Sequence, residues 1–434
     1  MIIKFKSEIN PLSNIEMGNQ LFLIGIFFLP SIFILGSILL FGGLIISLKK
    51  NINIFLKDKW NYLLILSIGI IIISAVNITF FNNPYSLSNF NTQIIWFNLL
   101  KWLILIISFI GFQKYLLTNN QRVLFAKYFI AGTFPVILSC LLQKLFLNNG
   151  PYQILNGLVI WFQKPLHISG GITGLFSNVN YTGIWLALCL PFCICLSRLE
   201  KKSNSKNFLI LFIFFISYFI FETNSRNAYL GFFIGVSFLI RFRYSIIFIF
   251  TQVFLFIFSF FALNANKYLQ TYSHLISKAL NLNNSRGFIF KEAISLIKDR
   301  PIFGWGSSTF NFTFNNRNIN NIEILKIDPH HTHNMALELA YNFGIPLSII
   351  IVSFVICLII KSILKIHKLR FKFKYSQEEY LINKAWIIST IIIFLALLND
   401  ISFYEDRIGL IICILFSGLR CFIKDNRYSL NEVK

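Results

Sequence analysis

The sequence predicts an all-α polytopic integral membrane protein with about 11–12 transmembrane helices and one large extracytoplasmic loop, and three observations lead there. Of its 434 residues, 56% are hydrophobic and 13% charged, and the mean hydropathy is +0.68. Apolar runs of about 18 to 25 residues recur along the chain, each enough to cross a hydrocarbon core roughly 30 Å thick. The lysines and arginines lie mainly in short connections between those runs. A soluble chain of this length would show helices with one polar face, which these runs lack.

In order, the runs lie at 21–48, 60–81, 94–117, 123–147, 178–197, 208–221, 227–240, 245–263, 334–360, 383–398 and 408–420. The first contains Pro30 and Gly36, so it is either one tilted helix or a tight pair of shorter ones. Lys4 and Lys6 ahead of it favour a cytoplasmic start and hence the pair. No cleavable signal peptide is expected, because the first twenty residues are mostly polar and no small-residue cleavage site follows the first run. The seven cysteines lie in or beside apolar runs, which argues against a disulfide framework, and no CxxC pair suggests zinc.

A net charge of +22 invites a nucleic-acid reading, but the placement of the basic residues makes it a topology signal. Membrane lipids are therefore expected partners and nucleic acid is not. Lys49, Lys50, Lys57 and Lys59 mark one cytoplasmic loop; Arg198, Lys201, Lys202 and Lys206 a second; Arg241 and Arg243 a third; Lys361 through Lys374 a fourth. The connections 82–93, 148–177, 222–226, 264–333 and 399–407 then face outward. A single transmembrane domain over 1–434, including the 264–333 loop, is the simplest division, since no repeat or linker stands out. Within that loop, Ser285 through Arg300 reads as a short amphipathic helix capped by Ser285 and stopped by Pro301. It is expected to lie along the membrane surface or to roof a cavity. Pro301 through Gly306 reads as a glycine-rich turn, and 319–328 as irregular chain.

Three of the six histidines fall in Asp328-Pro-His-His-Thr-His-Asn334, where the long polar loop gives way to an apolar helix. His333 stands at the mouth of that helix, whose positive dipole end favours a neutral imidazole able to take a proton, so it is the candidate catalytic base. The bland alternative is a surface cluster without a catalytic role. His330 and His331 would join it in a metal site only if a turn folded them together, and no cysteine or well-spaced carboxylate completes one; no metal is expected. Glu338, in the apolar helix one turn beyond Asn334, is expected to be buried and paired, either structurally or to orient the site.

Arg226 occupies the short outward break Glu222-Thr-Asn-Ser-Arg226. An arginine at membrane depth is costly, and its planar guanidinium can grip phosphate oxygens at two points, which makes it a functional candidate. It reads otherwise as an interfacial arginine that snorkels to headgroups or pairs with Glu222. Arg286 offers a second cation on the same side, or a solvated surface charge. The glycine-rich stretch Ser169 through Gly183 carries Asn178 and Asn180, which either approach a sugar or phosphate or simply open a helix. No Walker motif, GxGxxG or Ser-His-Asp pattern appears, and no cofactor is expected.

Four stretches, in this order and spacing, resemble the O-antigen ligase and O-antigen polymerase superfamily of bacterial membrane glycosyltransferases. They are Gly174 through Asn180, Ser225 through Gly231, Arg286 through Gly306, and His331-Thr-His-Asn334 followed after nine residues by Gly344. The resemblance implies a metal-independent, inverting transferase in the inner (plasma) membrane with its active site facing the periplasm. Its donor would be an undecaprenyl-pyrophosphate-linked glycan, and its acceptor a hydroxyl of another lipid-linked glycan (polymerase) or of a lipid-A core (ligase). By the same analogy Arg226 and Arg286 hold the pyrophosphate and His333 takes the proton of the attacking hydroxyl. Asn334, Glu338, Asn180 and His331 are the supporting candidates. Leu347 stands where ligases usually carry Gly, Thr or Tyr, a departure that tells against ligase relative to polymerase. The superfamily also includes cyanobacterial proteins once called inorganic-carbon transporters. The alternative function is therefore a membrane transporter of a small anion such as bicarbonate, or of a lipid-linked sugar; a scaffold for glycan assembly is a third.

Overall fold

The computed structural model describes residues 14–81, 91–147, 149–239, 286–319, 329–371 and 376–425. The expectations for Lys4, Lys6, Arg241, Arg243, the run 245–263, the cap at Ser285 and the chain from 320 to Asp328 lie outside the described residues. The protein is an all-α polytopic membrane protein. Among the described residues seven helices are long and apolar enough to cross a membrane, and the single β element is a small two-stranded hairpin.

The first apolar run forms a pair, α1 (Asn14–Phe28) and α2 (Phe33–Leu56). Pro30 lies in the turn between them, where it has no N–H to continue α1. Gly25 and Gly36 let the two backbones touch: a Cβ on Gly36 would lie 2.7 Å from the Leu29 backbone, and one on Gly25 3.0 Å from the Leu40 amide nitrogen.

Next come α3 (Lys59–Val76), capped by Asp58, then α4 (Gln93–Phe112) and α5 (Asn119–Phe146), which starts on a Thr118/Gln121 capping box. The hairpin pairs β1 (Tyr152–Ile154) with β2 (Val159–Trp161) in antiparallel register. Three further helices follow, α6 (Val179–Leu199), α7 (Ser203–Glu222) and α8 (Arg226–Leu239). Helix α6 is the buried centre of the bundle, with Ile184 through Leu190 fully shielded.

A helix over 286–299, α9, is followed by α10 (Phe310–Arg317), α11 (Met335–Phe343), α12 (Ile345–Phe371), α13 (Gln377–Leu397) and α14 (Asp406–Lys424). The amphipathic α9 roofs the neighbouring elements. Its Ile289, Ala293, Leu296 and Ile297 form a small separate core with Phe310 and Phe314 of α10 and Ala340 and Tyr341 of α11.

The run at 334–360 is two helices where the apolar pattern suggested one, and Gly344 is the reason. Its φ of +94° belongs to glycine territory, and a Cβ there would lie 1.9 Å from the Ile302 carbonyl oxygen. The turn Pro301 through Gly306 plugs into the break: Trp305 N–H donates to Tyr341 O, Gly306 N–H to Asn342 O, and Ile345 N–H to Pro301 O. The backbone groups freed by ending α11 inside the protein are thus satisfied by the turn. Gly344→Ala combines backbone strain with a clash and is expected to cost at least about 3 kcal/mol, read as a lower midpoint of thermal inactivation in detergent.

Charged groups collect at the two ends of the bundle. At one end, with the basic connections, Asp58 sits beneath Arg420 in a two-point pair of 2.6 and 3.1 Å, and Trp60 lies against that guanidinium. At the other end gather the α1–α2 turn, the start of α6, the start of α11 and the 398–407 connection. Arg407 joins two of these, donating to the Pro30 and Leu175 carbonyls.

Candidate functional site

Helix α11 begins on Asn334, whose side-chain oxygen accepts from the Ala336 and Leu337 amides at 2.9 and 3.1 Å. Its Nδ2 donates to Leu398 O at 2.9 Å, which ties the start of α11 to the end of α13. His333, just before this cap, has a φ of +55°, a left-handed conformation that few residues other than glycine adopt. Its Nδ1 lies 3.3 Å from Asp400 Oδ1.

Asp400 is the junction of the site. The oxygen that faces His333 also accepts from the Ile401 N–H at 2.8 Å, and the other accepts from Asn180 Nδ2 at 2.8 Å. Arg286 donates to the neighbouring Asn399 carbonyl at 3.2 Å. Burial pushes the Asp400 carboxyl up, but the hydrogen bond and charge of His333, the Ile401 amide and the charge of Arg286 together hold it below its ordinary value. Two stretches that the sequence singled out separately, around Asn180 and His333, thus meet on Asp400, which it did not single out, and a third, around Arg286, reaches the residue before it. The available signal was an acid among only 17 in the chain, in an outward connection on the histidine side.

A second cluster backs the first. Glu338 is 1% exposed; its Oε1 accepts from the Tyr404 hydroxyl at 2.7 Å and from Asn342 Nδ2 at 3.3 Å. Its Oε2 accepts from the Thr332 amide and hydroxyl, each at 3.0 Å. His331 stacks on the Tyr404 ring at 4.1 Å and places Nδ1 3.5 Å from the same carboxylate. Burial raises this carboxyl too, and the His331 hydrogen bond and charge, with Thr332 and Tyr404, bring it below its usual range. The Tyr404 phenol is pushed well above its ordinary value by burial and by Glu338. Because Thr332 sits between His331 and His333, this cluster fixes the segment from which His333 projects. His330 is exposed, so the three histidines go to different surroundings instead of folding around one point.

Arg226 opens α8 and is exposed. Glu222, the pairing partner the sequence offered for it, is bound instead to Lys144 at 2.7 Å. The residues flanking Arg226 pack on α6 one turn beyond Asn180: a Cβ on Gly183 would lie 2.5 Å from Ala228 Cβ and 3.2 Å from Ser225 Cβ. Arg226 is therefore carried at the same end of the bundle as Asp400, through α6. Leu347, the departure from the ligase pattern, is fully buried with Met335 and Leu339 around it, so its identity affects packing.

Residues 208–352 match the family model described as O-antigen ligase, about a third of the chain. Arg226, Arg286 and His333 lie within that span, Asn180 and Asp400 outside it. The match supports an assignment to the O-antigen ligase and polymerase superfamily and, with it, a membrane glycan ligase or polymerase role. Together with the apolar helices it fits a multi-pass protein of the inner membrane. No curated protein matches the chain.

Proposed function

Taking the O-antigen ligase match as the premise, we propose that the protein is a glycosyltransferase that moves a glycan from undecaprenyl pyrophosphate to a sugar hydroxyl at the periplasmic face. The observation that carries this reading is the meeting of His333, Asp400 and Arg286 on one connection, at the end of the bundle opposite its basic loops.

The contact to Asp400 occupies His333 Nδ1, which leaves Nε2 as the nitrogen that takes a proton from the acceptor hydroxyl. As the new C–O bond forms at the anomeric carbon, the bond to the diphosphate breaks and its electron pair leaves with the diphosphate oxygen. Attack from the face opposite the leaving group inverts the anomeric centre. Asp400 keeps the ring in register and balances the imidazolium that results, while Arg226 and Arg286 hold the departing diphosphate as its charge grows. The diphosphate ester is already activated, so the step calls for no nucleotide. The acceptor is a second lipid-linked glycan in a polymerase and a lipid-A core in a ligase.

The test is to reconstitute the purified protein in liposomes with a lipid-linked oligosaccharide and each acceptor. Longer or core-attached glycan, with one lipid diphosphate released per bond, is the expected product. Uptake of labelled bicarbonate or translocation of the lipid-linked sugar, without any new glycosidic bond, would replace this reading with the transport one.

A further inference from the structure

Helices α2 and α4 touch near one end, where Ser47 Oγ donates to Gly111 O at 2.7 Å and the missing side chain of Gly111 makes room for Leu44. Beyond that contact a cleft of about 590 Å³ opens between them, backed by α14. Its walls are almost wholly aromatic and aliphatic, running on α2 from Phe33 to Leu44 and on α4 from Phe97 to Phe112. Ile38, Phe41, Leu100 and Ile104 are exposed along it, so in a membrane its open side faces lipid. From Phe97 to Phe112 the α4 wall is about 22 Å long at 1.5 Å per residue, most of the depth of a core about 30 Å thick.

The polar end of the cleft is built onto the site. Lys101 pairs with Asp406 at 2.5 Å and donates to the Tyr404 carbonyl at 2.6 Å. Phe403 lines the cleft, while the next residue, Tyr404, carries the hydroxyl bound to Glu338 and the ring stacked on His331. The cleft therefore runs along most of α4 to the 399–407 connection that holds Asp400, with the Lys101–Asp406 ion pair at its mouth.

We propose that this cleft receives the proximal isoprene units of the lipid carrier, so that its diphosphate emerges beside Lys101 and the 399–407 connection. The inference rests on the transferase reading above and adds to it the place where the donor's tail lies. An apolar, lipid-facing cleft that runs along most of α4 and ends at the reacting loop suits one isoprenoid chain. It also fixes how far the diphosphate stands out of the membrane, and hence its height relative to His333.

The test uses the full chain in phospholipid nanodiscs and a polyprenyl diphosphate with a photoreactive group in its first isoprene units. Crosslinks are expected on α2 and α4 around Ser37 and Ile104. Ser37→Trp and, independently, Ile104→Trp fill the cleft and are each expected to lower that labelling roughly tenfold, a change readily resolved in a binding isotherm. Leu211→Trp on the exposed face of α7 serves as the control and leaves it unchanged. Labels spread over all lipid-facing helices, labelling insensitive to both tryptophans, or equal competition by phosphatidylglycerol would each overturn the proposal. Cleft-specific labelling by a protein that forms no glycosidic bond in the liposome assay would sink the transferase reading and leave the lipid site standing.

Discussion

Transfer by His333→Ala is expected to fall about 10²–10⁴-fold, the range over which a positioned base accelerates proton transfer. The loss should appear in kcat with the KM for the donor little changed, because the imidazole acts on the acceptor proton only as the bond forms. His331→Ala provides the contrast. Its ring stacks on Tyr404 and faces Glu338, so removing it disturbs the segment that carries His333 without removing the base. The check is steady-state transfer by purified variants matched for thermal stability.

Asp400→Asn is expected to cost about 10²-fold or more in kcat while leaving the protein folded. The amide keeps the size of the carboxylate and can still bond Asn180, but it carries no charge to balance an imidazolium. If its NH₂ turns toward His333, it donates to Nδ1, moves the ring proton to Nε2 and leaves no base facing the acceptor. Residues that act as a unit are not additive, so the double variant with His333→Ala should be no slower than His333→Ala alone. The same carboxyl has a consequence for stability. Its folded value lies below the ordinary 3.8, so its contribution is fully present above that value and is lost as pH falls through the lower folded value. Thermal inactivation followed over an acid series should therefore lose part of its acid sensitivity in Asp400→Asn.

Much of the architecture could be read from apolar length and the placement of lysine and arginine, because a bilayer permits few alternatives to a helix. Pro30 and Gly36 in the first run left one tilted helix or a pair open, with Lys4 and Lys6 favouring the pair that forms. Charges in apolar surroundings singled out Arg226 and Glu338, and the histidine cluster at a loop-to-helix boundary singled out His333. The break at Gly344 was less legible. In the sequence it is one glycine in an apolar stretch, and its need for a positive φ comes from the Pro301–Gly306 turn, which reaches it from an earlier part of the chain. Asp400 was hidden for a related reason. It lies 67 residues from His333 and 220 from Asn180, and an acid in an outward connection looks like any solvated charge until those partners are in place. Sequence patterns mark which residues are costly where they stand, whereas the partners that justify the cost are set by the packing of α6, α11 and α13.

Two guanidinium groups holding one departing diphosphate while an imidazole takes the acceptor proton is the central claim, and the Arg226→Ala and Arg286→Ala variants test it most directly. The measurement is release of lipid diphosphate from a purified lipid-linked glycan, with Arg→Lys companions at both positions. Each alanine variant is expected to lose about 10²–10³-fold in rate, as when one stabilising donor is removed from a developing charge. Lysine should restore only part, since an ammonium supplies charge without the two-point grip. Release at the wild-type rate by both alanine variants would contradict the account.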